Sequence, residues 1–249
     1  MEFKTANHIE HYQQDGELQD YFHSDPFVEQ EIRRRYQQCI HLLDLKSGDR
    51  VLEIGSGSGA GFSEITKKSC IYFPVDISFH NLKSIREKAA PRSIYAVSAD
   101  GYHLPYQSSS FDGILILEVL EHTDNPQKIL KEAFRVLKPG RSCVVSVPYR
   151  EKLSFQICIH CNRPTPTNSH LHTFDEHNLP ALFTEAGFIV TRVDKCLNKI
   201  PNRLHWNILT KRWPFSFWHP ADRFFNRIFN KPISLIVQAR KGISSHDHG

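Results

Sequence analysis

The chain has 249 residues, 40% of them hydrophobic and 23% charged, which is ordinary for a globular protein with a sizeable core. The formal net charge of +4 is too small to imply nucleic acid by itself. The N-terminus lacks the apolar run of a signal peptide, and no stretch approaches the roughly 18 apolar residues that span a bilayer. We therefore expect a cytoplasmic protein whose six cysteines are reduced or bind metal.

A helical pattern over 26–43 precedes the first strand, and we assign residues 1–44 to an N-terminal helical cap. Residues 45–249 form the main domain, where short apolar runs alternate at first with helix-period segments. The runs occupy 50–54, 70–75, 93–99, 111–117, 143–147, 188–193 and 233–240. This alternation predicts an α/β fold with a doubly wound, mostly parallel sheet covered on both faces.

Two segments do not fit the alternation. One, at about 149–177, follows the fifth strand, and the other, at about 197–232, separates the last two strands without a regular crossover helix. We predict that both are insertions and that the last two strands pair antiparallel.

Three glycines follow the first strand in the stretch VLEIGSGSGA: Gly55, Gly57 and Gly59. Glycine permits positive φ and leaves room for a ligand to approach the backbone. In an open α/β sheet, ligands bind beyond the carboxyl ends of the strands, where this loop lies. Because Gly55, Gly57 and Ala60 also satisfy the dinucleotide pattern, an NAD(P)-dependent oxidoreductase remains an alternative.

Carboxylates stand at or near the ends of three neighbouring strands. Glu53 precedes the glycines, where its charge would oppose a pyrophosphate but suit a cationic ligand. Asp76 can accept two hydrogen bonds from a ribose diol, and Asp100 is within reach of an adenine amino group. The pattern favours an adenosine ligand without phosphate and with positive charge, such as S-adenosylmethionine.

Five motifs occur in order between about residues 45 and 148: VLEIGSGSG, PVDIS, ADGYHLPYQSSSFDGILILEVLEH, RVLKPGR and CVVSVP. In these motifs the chain resembles the class I, seven-stranded S-adenosylmethionine-dependent methyltransferases, in particular the small-molecule branch that includes quinone-biosynthesis enzymes. The resemblance implies a Rossmann-like sheet of order 3-2-1-4-5-7-6 with its last strand antiparallel.

The resemblance also implies roles for residues at the matching positions. The glycines would line the methionine part of the cofactor, Asp76 would hold the ribose hydroxyls, and Asp100 would meet the adenine. The full set of cofactor-binding residues implied in this way is Glu53, Gly55, Gly57, Gly59, Asp76, Ile77, Asp100, Gly101 and Glu118.

His122 lies in EVLEHTDNP, directly after the fourth strand, where the methyl acceptor is expected. Methyl transfer needs a base only when the attacking group is protonated, and His122 is the predicted catalytic base. The alternative is that Glu121 and His122 only shape the loop into the next helix, which Asp124 or Asn125 would cap ahead of Pro126.

The first insertion contains Cys158-x2-Cys161 followed by His170-x-His172. Two thiolates and two imidazoles at such spacing can complete a tetrahedral structural zinc site, which we predict here. The alternatives are a redox pair, cysteines that pack beneath a loop, and histidines that face the acceptor.

The second insertion holds all three tryptophans, within an aromatic and basic stretch at 204–231. These side chains can form core, contact a membrane peripherally, or cover an apolar acceptor. Nucleic acid is a weaker candidate because the basic excess is small and no amino-methylation motif follows the fourth strand.

The sequence therefore predicts an S-adenosylmethionine-dependent methyltransferase acting on a small molecule. We expect an apolar or lipid-linked acceptor and favour O-methylation. A catalytically silent protein that only binds the cofactor is the non-enzymatic alternative.

Overall fold

The computed structural model describes residues 7–19, 25–88 and 94–243. Parts of the predicted N-terminal cap (1–6 and 20–24) and Ser93, at the start of the predicted third strand, lie outside these ranges. No helix within the described ranges is long and apolar enough to cross a membrane.

Two helices precede the first strand, and the strands and helices then alternate along the chain. The strands are β1 (Arg50–Ile54), β2 (Ile71–Asp76), β3 (Val97–Ser98), β4 (Phe111–Leu117), β5 (Leu137–Pro148), β6 (Phe155–Ile157), β7 (Pro164–Pro166), β8 (Phe188–Asn198) and β9 (Pro232–Lys241). The helices are α1 (His8–Leu18), α2 (Pro26–Leu42), α3 (Phe62–Thr66), α4 (Phe79–Lys88), α5 (Pro126–Val136), α6 (Asn178–Glu185), α7 (Lys199–Arg203), α8 (Trp206–Leu209) and α9 (Phe215–Phe229). A 3₁₀ turn, Leu120–His122, follows β4.

The main sheet has seven strands in the order β3-β2-β1-β4-β5-β9-β8. Strands β1 to β5 pair parallel, whereas β9 runs antiparallel to both of its neighbours, β5 and β8. Since β8 and β9 are the sixth and seventh strands of this sheet, the predicted order and the antiparallel last strand are confirmed. Strands β6 and β7 form a separate antiparallel hairpin within the first insertion.

Both faces of the sheet are buried, because successive residues of a strand point to opposite sides. On one face Leu52 belongs to a core cluster that includes Leu130 of α5. On the other face Val51 belongs to a cluster with Ile40 of α2 and Trp218 of α9. Helices on both faces leave only the strand ends free to form a site.

The boundary between α5 and β5 differs from the sequence prediction. The sequence predicts a strand only over 143–147, but α5 ends at Val136 and β5 begins at Leu137. Leu137 pairs with Phe111, and the register then shifts before Gly113 pairs with Ser142. The strand therefore begins before 143, because Leu137 already pairs with β4 through its backbone.

Candidate active site

A cavity of about 260 Å³ opens at the carboxyl ends of the central strands. It lies above the last residues of β1 and β2 and the residues that follow β4. The residues that follow β3, helix α1 and the first insertion supply most of the remaining walls. Its polar and glycine lining residues are His8, Tyr12, Asp15, Gly55, Gly57, Asp76, Asn81, Asp100, Gly101, Tyr102, Glu118, His122, Thr123, Asn168 and Ser169.

The three glycines of the loop after β1 do not share one role. Gly55 and Gly57 line the cavity with φ of +74° and +47°. A Cβ added to Gly57 would meet nothing within 4 Å, so the backbone there faces open space that a ligand can fill. Gly59 does not line the cavity, and a Cβ there would lie 2.7 Å from Ile85 of α4. The absence of a side chain at Gly59 therefore allows α4 to pack closely against the glycine loop.

Asp76 is held rigidly at the end of β2. Its carboxylate accepts hydrogen bonds of 2.8 Å from the amides of Gly57 and Ser78. Burial raises the pKa of this carboxyl, and the two amides partly offset the rise. The structure thus ties the carboxylate to the glycine loop, and neighbouring Ile77 also lines the cavity.

Asp100 closes the cavity beyond β3. It accepts a hydrogen bond of 2.9 Å from the amide of Tyr102. Nε2 of His8 lies 3.0 Å from its other carboxylate oxygen, which brings α1 over this end of the cavity. Gly101 lines the same end.

Glu53 is fully buried and does not line the cavity. Its carboxylate accepts a hydrogen bond of 2.5 Å from the hydroxyl of Tyr36 and another from that of Tyr72. Burial raises the pKa of Glu53 to about 7. The expectation that its charge faces a cationic ligand is corrected, because both oxygens bind tyrosines instead.

Glu118 follows β4, lines the cavity and adopts a positive φ of +54°. It forms a 2.7 Å ion pair with Arg35 of α2 and accepts a hydrogen bond from the hydroxyl of Ser146. Sequence analysis did not identify Arg35. The only local signal is the run Arg33–Arg35, whose central member, Arg34, is buried against Trp218 instead.

His122, on the 3₁₀ turn, also lines the cavity. Its ring stands 4.5 Å from that of His170, measured between centroids. Burial, reinforced by nearby His170, lowers the pKa of His122 to about 4, so that its ring is neutral at neutral pH. Tyr12 of α1 donates a 2.9 Å hydrogen bond to the carbonyl of His122.

The structure does not bring the four predicted zinc ligands together. Cys158 and Cys161 lie between β6 and β7, with Cys161 exposed. Nε2 of His172 donates a 2.8 Å hydrogen bond to the carbonyl of Thr123, whereas Nδ1 of His170 is hydrogen-bonded to the carboxylate of Glu151. In the described ranges, one group of three or more His, Cys, Asp or Glu ligand atoms lies within mutual reach, and it comprises Glu121, His122 and His170. The predicted Cys-Cys-His-His set is therefore corrected.

The aromatic insertion is partly core and partly exposed. Trp218 is fully buried, and Trp206 packs edge-on against Phe225. The opposite side of α9 carries Phe217 and Phe224, which are 70% and 60% exposed. The core interpretation thus describes one face of α9 only.

The comparisons with known proteins agree with this geometry. Residues 52–145 match the family model described as a methyltransferase domain. A demethylmenaquinone methyltransferase from Corynebacterium kroppenstedtii is 29% identical over 53% of this chain and 58% of its own length. A ubiquinone biosynthesis O-methyltransferase from Psychrobacter arcticus is 25% identical over 75% of each protein. Several other curated relatives are matched over only about half of their length or less.

Among solved structures, an S-adenosylmethionine-dependent methyltransferase from Mesorhizobium loti superposes with a TM-score of 0.61 at 16% identity. The match covers 84% of this chain and 98% of that one, and at such identity it speaks for the fold alone. The sheet order and the cavity at its strand ends define a Rossmann-like methyltransferase fold. The chain therefore contains a region similar to a methyltransferase domain within a sheet of the class I methyltransferase fold.

Proposed function

We propose that the protein transfers a methyl group from S-adenosylmethionine to a small-molecule acceptor. The observation that carries the proposal is a single cavity whose lining joins the open backbone of Gly57 to the carboxylates of Asp76 and Asp100. This lining suits an adenosine ligand without phosphate, because carboxylates receive hydroxyl and amino groups and repel phosphates.

The described residues fit the cofactor from one end to the other. Asp76 would accept hydrogen bonds from the ribose hydroxyls, and Asp100 with Gly101 would border the adenine. Gly55 and Gly57 would face the methionine part, with Glu118 near its ammonium group. Arg35 neutralises part of the charge of Glu118, and its 2.7 Å contact holds that carboxylate in place. The cofactor supplies an activated methyl group, and the protein positions it against the acceptor.

The acceptor is proposed from the relatives. Their names specify demethylmenaquinone and ubiquinone biosynthesis, the latter with O-methylation. We therefore propose an apolar or lipid-linked acceptor that is methylated on oxygen. The site would receive it between α1 and the first insertion, whose Asn168 and Ser169 line the cavity.

His122 remains the proposed base if the acceptor hydroxyl is protonated. Its side chain lines the cavity, and its ring is neutral at neutral pH. A base with a pKa of about 4 is far below working pH, however, so it would draw a proton from a hydroxyl only weakly. Effective deprotonation therefore requires a further group at this end of the cavity.

Equilibrium binding tests the class of reaction. S-adenosylhomocysteine should bind the purified protein in calorimetry, and NAD(H) should not; the reverse result would establish the oxidoreductase alternative. Incubation with methyl-labelled S-adenosylmethionine and a lipid-containing extract should then yield a labelled small molecule, identified by mass. Binding without any transfer of label would favour the catalytically silent alternative.

We also propose that α9 contacts an anionic membrane surface and brings the protein to a lipid-linked acceptor. Phe217, Phe224 and Ile228 form an exposed apolar stripe on this helix, with Arg223 and Arg227 beside it. Residues 199–231 contain seven lysines and arginines but one acidic residue, Asp222, which is buried. Such an amphipathic cationic helix suits the surface of an anionic bilayer. The cytoplasmic location stays a prediction.

Vesicle sedimentation tests the membrane contact. The protein should sediment with vesicles of phosphatidylglycerol and phosphatidylcholine and much less with phosphatidylcholine alone. Substituting Phe217→Ser and Phe224→Ser together should abolish sedimentation but retain S-adenosylhomocysteine binding. Ile159→Ser, at a fully exposed apolar residue of the first insertion, is the matched control and should sediment normally. Equal sedimentation of both variants would refute the contact.

A further inference from the structure

A carboxylate and two imidazoles meet at the edge of the cleft although the chain separates them widely. Glu121 and His122 lie on the 3₁₀ turn after β4, and His170 lies in the first insertion. One ligand atom from each residue falls within 4.8 Å of the other two. The main chain fixes this approach, because the amide of Leu171 donates a 2.6 Å hydrogen bond to the carbonyl of Glu121.

The Glu121 side chain is one of several buried polar groups that lack a hydrogen-bond partner among the described residues. It is only 1% exposed, yet its carboxylate oxygens accept no hydrogen bond from any other described residue. Nε2 of His122 lies 4.0 Å from the nearer oxygen, which is too far for a hydrogen bond. Buried carboxylates are almost always paired, hydrogen-bonded or bound to a metal, because an isolated one loses its hydration and gains no interaction that compensates for the loss. The spacing of this trio leaves room for an ion between its members.

His170 is oriented as a metal-binding histidine commonly is. Its Nδ1 bonds the carboxylate of Glu151, which fixes the ring and leaves Nε2 free to act as a ligand. Metal-bound imidazoles usually donate their other ring nitrogen to a carboxylate or a carbonyl in this manner.

We infer that Glu121, His122 and His170 bind a divalent first-row transition-metal ion at the acceptor end of the cleft. One carboxylate and two imidazoles suit zinc, manganese or ferrous iron. A set of only three protein ligands leaves positions open for a substrate, as in catalytic rather than structural sites. Because His122 also lines the cavity, an ion held by this trio would lie beside the cavity. This trio shares only His170 with the predicted cysteine and histidine site.

The chemical role of this metal rests on the proposed methyltransferase function. When bound, the ion would lower the pH at which an acceptor hydroxyl releases its proton to solvent. A lone pair of the resulting oxyanion forms the new carbon–oxygen bond, and the electron pair of the broken carbon–sulfur bond stays on sulfur as neutral S-adenosylhomocysteine. His122 then acts as a ligand, and the reaction needs no protein base.

Metal titration of the EDTA-treated protein tests the site. Calorimetry with Zn²⁺ should show one equivalent per chain, and Co²⁺ should produce visible absorption bands of a nitrogen- and oxygen-bound ion. Glu121→Gln and His170→Gln should each abolish that equivalent. Glu151→Gln, which removes only the partner of His170, should weaken binding by about 10- to 100-fold.

Two controls keep the result interpretable. His160→Gln, at an exposed histidine of the same insertion, and the double variant Cys158→Ser, Cys161→Ser should keep the full equivalent. Loss of metal from the cysteine variant with retention in Glu121→Gln would overturn the inference, as would a wild-type protein that binds no metal. S-adenosylhomocysteine binding is measured on every variant. If it is normal while metal binding fails, only the metal site is wrong; if it is absent from wild type, the proposed function is wrong.

Discussion

The two ends of the cleft are built in different ways. The proposed cofactor end consists of the loops that directly follow β1, β2 and β3. Its carboxylates accept hydrogen bonds from nearby backbone amides, as Asp76 does from Gly57 and Ser78. The acceptor end joins α1, the turn after β4 and the first insertion, and it contains an unsatisfied buried carboxylate, Glu121. Contacts between residues that are close in the chain therefore hold the proposed cofactor end in place. The proposed acceptor end depends on contacts between residues that are far apart in the chain.

The largest expected effect concerns the cofactor end. Asp76→Ala should weaken S-adenosylhomocysteine binding by roughly 2–4 kcal/mol, since it removes a charge-assisted contact to the ribose and frees the glycine loop. Titration calorimetry measures the change, with Glu185→Ala on the exposed face of α6 as a control that should bind normally. Unchanged affinity in Asp76→Ala would contradict the assignment of this carboxylate to the ribose.

The next effect concerns the protonation state of the buried Glu53 side chain and its contribution to stability. Burial raises its pKa from 4.5 to about 7, so the folded protein holds a proton that the unfolded chain has released. The free energy of unfolding should therefore fall as pH rises from 4.5 to about 7, by on the order of 3 kcal/mol from this residue.

Glu53→Gln should remove that portion of the slope, because the amide does not titrate. Urea denaturation at a series of pH values measures it as the difference between the two proteins, so the buried acid Asp222, whose pKa is also raised to about 7, cancels. Stability curves that run parallel for both proteins would show that folding does not raise the pKa of Glu53.

A smaller effect tests how α1 is held over the acceptor end. Tyr12→Phe removes the 2.9 Å hydrogen bond to the carbonyl of His122, worth about 1 kcal/mol. Hydrogen exchange of the α1 amides should accelerate about fivefold, while the amides of β1 keep their protection. Equal protection of α1 in both proteins would mean that other contacts, such as His8 with Asp100, suffice to hold the helix.

The smallest effect is expected at the tip of the β6–β7 hairpin. Because Cys158 and Cys161 are not grouped with other ligands, the double serine variant should change the free energy of unfolding by less than about 0.5 kcal/mol. Chemical denaturation in the presence and absence of added Zn²⁺ measures it. If the double serine variant lost several kcal/mol of unfolding free energy only when Zn²⁺ is present, the predicted structural zinc site would be supported after all. The tip would then bind metal as the cleft is inferred to do.

Local patterns predicted the sheet and the place of the cavity. The strand–helix alternation and the ordered motifs indicated the sheet order, and the glycines placed Gly55 and Gly57 at a strand end that does line the cavity. The same patterns misjudged Glu53, because its position in the motif does not reveal that Tyr36 and Tyr72 occupy both of its oxygens. A residue's distance from a glycine loop along the chain does not determine which way its side chain points.

The sequence by itself determined the class I fold and the strand ends at which the cavity opens, since parallel strands with crossover helices leave little freedom in where their carboxyl ends meet. Only the tertiary structure decided which side chains share the acceptor end. It placed α1 over the cleft, paired Arg35 with Glu118, and brought His170 to His122 rather than to Cys158. Such pairings depend on how the N-terminal helices and the insertions pack against the sheet, and the spacing of residues along the chain does not predict that packing.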